Sequence, residues 1–320
     1  MPERVLITGI TGFAGSHTAE AAVRAGLDVY GIARWRSNKD NLANVNGQVK
    51  IEEADLMDSH SLNKFILAVR PDYIFHLAAQ SFVQASWTSP ALTMEINAVG
   101  AINLFEAVRN SQINPRIQIA CSSEEYGLVY ENEVPITEDN PLRPQSVYGV
   151  SKMALDFLGY QYYQSYGMNI VRTRGFNHTG PRRGDVFAES TFAKQIAQIE
   201  KGTQDPVIKV GNLDAYRDYT DVRDMVKGYF LAATKGQAGE VYNLCSGKAV
   251  QMKQVLDILL SFSDRKNAIE IKQDPTRMRP SDVPILLGNN TKFTTLTGWK
   301  PEIPFEQTME DLLNYWRDRV

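Results

Sequence analysis

The chain of 320 residues is 43% hydrophobic and 22% charged, enough for a substantial core and for one large α/β unit with a smaller lobe. Its net charge of -3 gives no global basic field, which excludes nucleic acid as an expected partner. Cys121 and Cys245 each follow an apolar, strand-like run and read as buried free thiols of a reducing compartment; the four histidines are scattered without ligand spacing, so no metal is expected.

The chain enters a strand at once, Arg4-Val5-Leu6-Ile7-Thr8, without the basic, apolar and small-residue succession of a signal segment. No apolar run reads as long enough to cross a bilayer, so cytoplasmic residence with no membrane partner is the expectation. The strand runs into GITGFAG and an amphipathic stretch from Ala14 to Ala25, closed by Gly26. Gly9 can make the tight turn. Gly12 can let backbone N–H groups reach a pyrophosphate at the positive end of the helix, and Gly15 can let helix and strand pack closely. Thr11 and Phe13 complete this candidate dinucleotide turn.

DVYGIAR is the second strand. An acidic residue at its end would hold a ribose 2′-hydroxyl, but this chain has Ala33-Arg34-Trp35-Arg36-Ser37. Arg34 and Arg36 suit a phosphate dianion, so NADP is the expected cofactor. The third strand, VKIEEAD, ends at Asp55 beside Leu56, where the carboxylate can meet the adenine or cap the helix starting near Ser59. After the fourth, DYIFHLAA, Ala78 and Ala79 suit either close approach to the cofactor or plain packing. A helix from Ala91 to Arg109, the strand RIQIACSS, a long helix from Tyr148 to Tyr166 and the strand Asn169 to Arg174 continue the alternation. Such alternation predicts an α/β fold, a doubly wound parallel Rossmann sheet.

After Gly175 the pattern loosens. Arginine-bearing segments around 177–219 and 264–290 interrupt two core-like elements, a helix from Asp221 to Ala233 and the strand EVYNLCS. The expected division is therefore a dinucleotide-binding domain of residues 1–174 plus 220–249 and a smaller, discontinuous α/β substrate lobe of 175–219 plus 250–320.

Tyr148 and Lys152 are spaced i, i+4 and share one helix face. A nearby ammonium favours tyrosinate, so the phenol can take a proton from an alcohol or give one to a carbonyl near neutral pH. The lysine can also hold the cofactor ribose. Before them, SSEEYG offers hydroxyl donors in Ser122 and Ser123 and a base in Glu124. Glu125 points the other way if the segment is extended, and reads as a solvated or salt-bridged carboxylate.

With GITGFAG, YGIARWRS, HLAAQSFV, SSEEYG, YGVSK, FNHTGPRRG, VGNLDAYRD and RPSDV in place, the chain resembles the extended short-chain dehydrogenase/reductases along essentially its whole length. More narrowly it resembles the group of GDP-mannose 4,6-dehydratase and GDP-4-keto-6-deoxymannose reductase. The resemblance maps a Thr-Ser-Glu run of the dehydratases onto Ser122-Ser123-Glu124, where serine keeps the hydroxyl and loses a methyl. It implies that Tyr148, tuned by Lys152, takes the 4-hydroxyl proton, and that Glu124 removes the C5 proton and protonates the departing 6-hydroxyl. The implied activity is conversion of GDP-mannose to GDP-4-keto-6-deoxymannose by a lyase that recycles NADP. The alternatives are the NADPH-dependent reductase, or a dehydratase or epimerase acting on another nucleotide sugar.

In the nucleotide-sugar lobe the resemblance implies that Asn177 donates to the substrate diphosphate. Arg183, with Arg182, clamps a phosphate or supports a subunit contact. Arg217 and Arg279 converge on the diphosphate from separate loops. Asp282 stands where the family has glutamate and would take the ribose hydroxyls, and Lys194 lies on the helix after PRRG. His178 reads as a structural imidazole bonded to backbone. The expected assembly is a homodimer or homotetramer.

Overall fold

The computed structural model describes residues 2–278 and 283–320. In chain order its strands begin with β1 (Arg4–Thr8), β2 (Asp28–Ala33), β3 (Val49–Glu53), β4 (Tyr73–His76), β5 (Arg116–Ser122) and β6 (Ile170–Gly175). Three short strands follow, β7 (Asn177–Thr179), β8 (Val207–Val210) and β9 (Tyr216–Asp221), then β10 (Val241–Leu244). The last are β11 (Ala249–Gln251), β12 (Glu270–Gln273) and β13 (Ile285–Leu286).

Seven strands form one parallel sheet in the order β10-β6-β5-β4-β1-β2-β3. The chain winds outward from β1 through β2 to β3, then crosses back to place β4 on the other side of β1. The sheet is thus doubly wound, and its crevice opens beyond the carboxyl ends of β1 and β4. One face is covered by the helices Ser59–Val69, Gly100–Asn110 and Val147–Tyr166, which bury Leu62, Leu104, Phe105 and Leu155 with the sheet. The other face carries the helices Phe13–Arg24 and Val222–Lys235 over Val5, Ile7, Phe75 and Val171.

The smaller lobe contains the sheet β11-β9-β13, with β7 also on β9, and the pair β12-β8. Its core joins the helices Ala188–Lys201, Met252–Ser261 and Phe305–Arg317 through Phe192, Ile196, Leu256 and Leu312. Phe293 and Trp299, although late in the chain, pack into the core of the main sheet.

The segment Pro90–Asn110 corrects the expectation that no apolar run could span a bilayer: it is 21 residues long and contains an 18-residue window with a mean hydropathy of 1.2. It is nevertheless a core helix, with Ala101, Leu104, Phe105, Ala107 and Val108 at most 1% exposed. It is also not one uniform α-helix. Glu95–Val99 forms a π turn between Pro90–Met94 and Gly100–Asn110.

Candidate active site

A cavity of about 600 Å³ lies at the reversal of strand order. Its floor is the turn after β1. Gly9 has φ +71, a backbone conformation that a Cβ would strain, and that Cβ would stand 2.9 Å from Ala78 Cα. A Cβ at Gly15 would lie 2.1 Å from the Gly9 carbonyl oxygen. The helix Phe13–Arg24 has no side chain capping its N-terminus and no acid in its first turn. Its positive end therefore opens toward the cavity through bare backbone, an arrangement that fits the pyrophosphate of a dinucleotide.

The ends of β1 and β4 are held together beside this turn. The Thr8 hydroxyl oxygen accepts from the amides of Leu77 and Ala78 at 3.1 and 3.2 Å. The same hydroxyl lies 2.9 Å from Nδ1 of His76. Burial holds the His76 imidazole neutral, with its pKa lowered to about 3.

Of the residues singled out for the cofactor, Gly9, Thr11, Gly12, Phe13, Arg34, Asp55, Leu56, Ala78 and Ala79 all line the cavity. Arg36 does not. It adopts φ +59 and stacks its guanidinium on Trp35, 4.1 Å from the ring centre. Asp55 accepts from the Met57 amide at 3.0 Å, and Asp58 rather than Asp55 caps the helix Ser59–Val69.

The opposite wall comes from β5, the helix Val147–Tyr166 and the start of the smaller lobe. Ser146 caps that helix by accepting from the Gly149 amide at 3.0 Å, and Gly167 ends it in the left-handed conformation. Tyr148 and Lys152 point from its first turns into the cavity together with Ser122, Ser123 and Glu124. The Lys152 ammonium donates to the Ala120 carbonyl at 2.7 Å.

The electrostatics differ from the spacing-based expectation. Burial pushes the Tyr148 phenol above the usual tyrosine range; a hydrogen bond with the Ser122 side chain opposes it, Glu124 and Glu125 reinforce it, and Arg183 opposes it. The Lys152 ammonium is turned to the Ala120 carbonyl, and burial is the largest influence on the phenol. The pKa of Lys152 is itself lowered by burial.

Glu125 also departs from the reading of an extended segment. Ser123–Glu125 is a 3₁₀ turn, and the Glu125 side chain is 0% exposed beneath the cavity. Cys121, Glu125 and Asp156 bring ligand-capable atoms within 4.8 Å of one another. Arg172 and Arg174 already supply the positive charge there, so the cluster is an ion-pair network rather than a metal centre.

From the smaller lobe, Asn177, His178 and Arg183 reach the cavity. His178 Nδ1 lies 3.0 Å from the Phe176 carbonyl oxygen, and the ring stacks on Phe13 with 9° between planes. The Arg183 guanidinium lies 3.3 Å from the centre of the Phe187 ring and pairs with Glu189 at 3.4 Å. Arg182 is turned away to Glu20 and Ser16 of the cofactor-side helix. Lys194 pairs with Asp185 at 2.6 Å and does not line the cavity. Arg217, 6% exposed, donates to the carbonyls of Tyr216 and Val283 at 2.8 and 2.7 Å and does not line it either. Arg279 and Asp282 lie outside the described residues.

Sequence reasoning missed Gln80 and Ser81, which follow Ala79 and also line the cavity. It missed Asn97 as well. From the π turn, Asn97 accepts from the Gln80 amide at 2.8 Å and donates to the Gln80 carbonyl at 3.0 Å and to Ser151 at 2.9 Å. The polar residues just past β4 were the available signal for the first pair. Nothing in helical periodicity marks a π turn.

The sequence model described as GDP-mannose 4,6 dehydratase matches residues 6–312. The chain belongs to the GDP-mannose 4,6-dehydratase family. This family member is 32% identical over 320 residues to the GDP-6-deoxy-D-mannose reductase of Pseudomonas aeruginosa, covering 100% of this chain and 99% of the relative. It is 32% identical over 356 residues to a GDP-mannose 4,6-dehydratase of Vibrio cholerae, covering 98% and 94%. Its fold is similar to the structure of RMD from Pseudomonas aeruginosa complexed with NADPH, at TM-score 0.84 and 30% identity, covering 99% and 100%. It is also similar to UDP-glucose 4-epimerase of Thermus thermophilus in complex with NAD, at TM-score 0.87 and 29% identity, covering 99% and 100%. The chain is therefore an enzyme of the nucleotide-sugar dehydratase and epimerase family.

Proposed function

We propose that this enzyme is a GDP-mannose 4,6-dehydratase that binds NADP. The observation that supports this reading is Glu124, a carboxylate on the cavity wall shared with the Tyr148 phenol and the Ser122 and Ser123 hydroxyls. Ketone reduction needs the phenol and makes no demand for a second proton-transfer group beside it. Elimination of water across C5 and C6 needs one.

Gly9, Gly12 and the N-terminus of the helix Phe13–Arg24 would hold the pyrophosphate. Arg34, with Ser37 beside it on the cavity wall, would take the 2′-phosphate. The likeness to RMD complexed with NADPH supports the same cofactor. Held there, the cofactor would supply a hydride acceptor for C4 and a hydride donor for C6. Tyr148 takes the O4 proton as the C4 ketone forms, with the Ser122 hydroxyl as its hydrogen-bonding neighbour. Lys152 holds the cofactor ribose and contributes positive charge to this wall. The ketone acidifies C5–H, and Glu124 removes that proton. Glu124 then gives it to O6, which leaves as water. Ser123 steadies the leaving oxygen. A proton returned to C5 completes the 4-keto-6-deoxy sugar, so NADP ends unchanged and one water is lost. Asn177 and Arg183, where the smaller lobe meets the cavity, would receive the substrate diphosphate.

A second reading, NADPH-dependent reduction of a 4-keto-6-deoxy sugar nucleotide, is favoured by one observation. The alignment with the reductase spans both chains almost end to end in 320 positions, whereas the alignment with the Vibrio cholerae dehydratase extends over 356. Purified protein incubated with GDP-mannose and a catalytic amount of NADP should release GDP-4-keto-6-deoxymannose with no net NADPH formed or consumed. Turnover only of a supplied 4-keto sugar, with one NADPH oxidised per product, would instead establish the reductase.

A further inference from the structure

The reaction as proposed leaves one carboxyl of this centre unused. Glu125 follows the candidate base directly, yet it is 0% exposed and does not line the cavity. Its Oε1 accepts from the Ser122 amide at 2.7 Å, while the Ser122 hydroxyl oxygen accepts from the Glu124 amide at 3.2 Å. The turn that carries Ser122, Ser123 and Glu124 is therefore closed from both ends. Behind it, Arg174 Nε lies 3.4 Å from Glu125 Oε2 and 2.7 Å from Asp156 Oδ2. Asp156 follows Tyr148 and Lys152 at successive intervals of four on the helix Val147–Tyr166, so the three share one helix face. The turn also rests directly on this helix, since a Cβ at Gly149 would stand 2.6 Å from the Glu124 carbonyl oxygen.

We propose that Glu125 is a positioning residue: it holds the Ser122 amide on one side and the Arg174–Asp156 pair of the Tyr148 helix on the other, and so fixes Ser122 and Glu124 against the Tyr148 phenol. The inference rests on the proposed roles of Tyr148 and of Ser122 as its hydrogen-bonding neighbour, which both reactions share, and not on which of the two is catalysed. Burial, and then the neighbouring Asp156, carry the Glu125 carboxyl well above the usual carboxylate range. Its Oε2 accepts no hydrogen bond among the described residues. A neutral amide of the same length suits that position, because reach rather than charge serves the Ser122 amide.

Two variants separate reach from charge. Glu125→Gln keeps the length and replaces the ionisable carboxyl by an amide; Glu125→Asp keeps a carboxyl and withdraws it by one methylene. Glu125→Gln is expected to keep kcat within about threefold of the parent, and Glu125→Asp to lose about 10²-fold in kcat at unchanged KM, the scale of a misplaced reacting group. In the cofactor-free protein, Glu125→Asp should also shift the NMR resonance of Cζ in labelled Tyr148, assigned with Tyr148→Phe, and Glu125→Gln should not. Kinetics are read on GDP-mannose or on the 4-keto sugar with NADPH, whichever the parent consumes. A parent that consumes only the second overturns the proposed function and not this inference. The resonance reports on Glu125 without any turnover, and Glu125→Gln tests the claim even where Glu125→Asp does not fold. Parent-like kcat and resonance in Glu125→Asp, or losses in Glu125→Gln equal to or greater than those in Glu125→Asp, would overturn it.

Discussion

Gly15 packs against Gly9 so closely that a side-chain carbon at Gly15 would lie 2.1 Å from the Gly9 carbonyl oxygen and 2.9 Å from Ile10 Cα. Both contacts are backbone, so no rotamer change relieves them. The first turn of the helix is thereby pinned to the turn that would cradle a pyrophosphate. Gly15→Ala should push the two apart, cost roughly 1–3 kcal/mol of stability and weaken NADPH binding by at least about tenfold. Thermal unfolding and titration calorimetry on the same preparation check both effects.

The two arginines after β2 should separate in function. Arg34 lines the cavity, whereas Arg36 is stacked on Trp35 outside it. Loss of a charge-assisted contact to phosphate is worth about 1.5–3 kcal/mol, or roughly 10–100-fold. Arg34→Ala should raise the Kd for NADPH by that factor and leave the Kd for NADH nearly unchanged. Arg36→Ala should change neither by more than about twofold. Equal losses in the two variants would return Arg36 to the site.

Glu124→Gln keeps the size of the side chain and removes its basicity. If Glu124 serves C5, the variant should still oxidise C4 of GDP-mannose in a single turnover, visible as a persistent reduced-nicotinamide absorbance. Release of the 4-keto-6-deoxy product should fall by about 10²–10⁴-fold. Product formation at the parent rate would remove Glu124 from the elimination.

Buried neutral histidines give the fold an acid limit. His76 is 1% exposed, and burial lowers its pKa to about 3. The unfolded chain binds this proton below about pH 6.5 and the folded chain does not, so the stability associated with His76 is complete above that pH and is lost as pH falls toward 3. At about pH 5 the loss is roughly 2 kcal/mol. His17 and His178 are displaced in the same direction, chiefly by burial. Urea unfolding at neutral pH and near pH 5 should show the drop, and His76→Asn should flatten it by its own share.

All seven strands of the main sheet were legible because each is a short strand-like run punctuated by glycine, turn or helix, and their alternation with helices points to a doubly wound parallel sheet. The glycine turn, the Tyr148 and Lys152 face and the 122–124 run were legible because each is a local pattern. What the sequence hid depends on contacts between distant segments. Tyr148 and Lys152 share a helix face, yet the lysine turns to Ala120 and burial governs the phenol. Glu125 reads as solvated or salt-bridged, and only β6, which brings Arg174 to it, decides for the ion pair. Arg217 and Lys194 sit on arginine- and lysine-bearing segments that invite a phosphate, and only the folded chain sets the carbonyls of Tyr216 and Val283 beside the first and Asp185 beside the second.

The most direct measurement follows the hydrogen that moves. GDP-mannose carrying deuterium at C4 is incubated with the purified enzyme and a catalytic amount of NADP, and the product is read by NMR and mass spectrometry. The account predicts a 4-keto-6-deoxy product bearing deuterium at C6, with no net change in NADPH. Failure to consume GDP-mannose, combined with stoichiometric NADPH oxidation on a supplied 4-keto-6-deoxy sugar nucleotide, would contradict it.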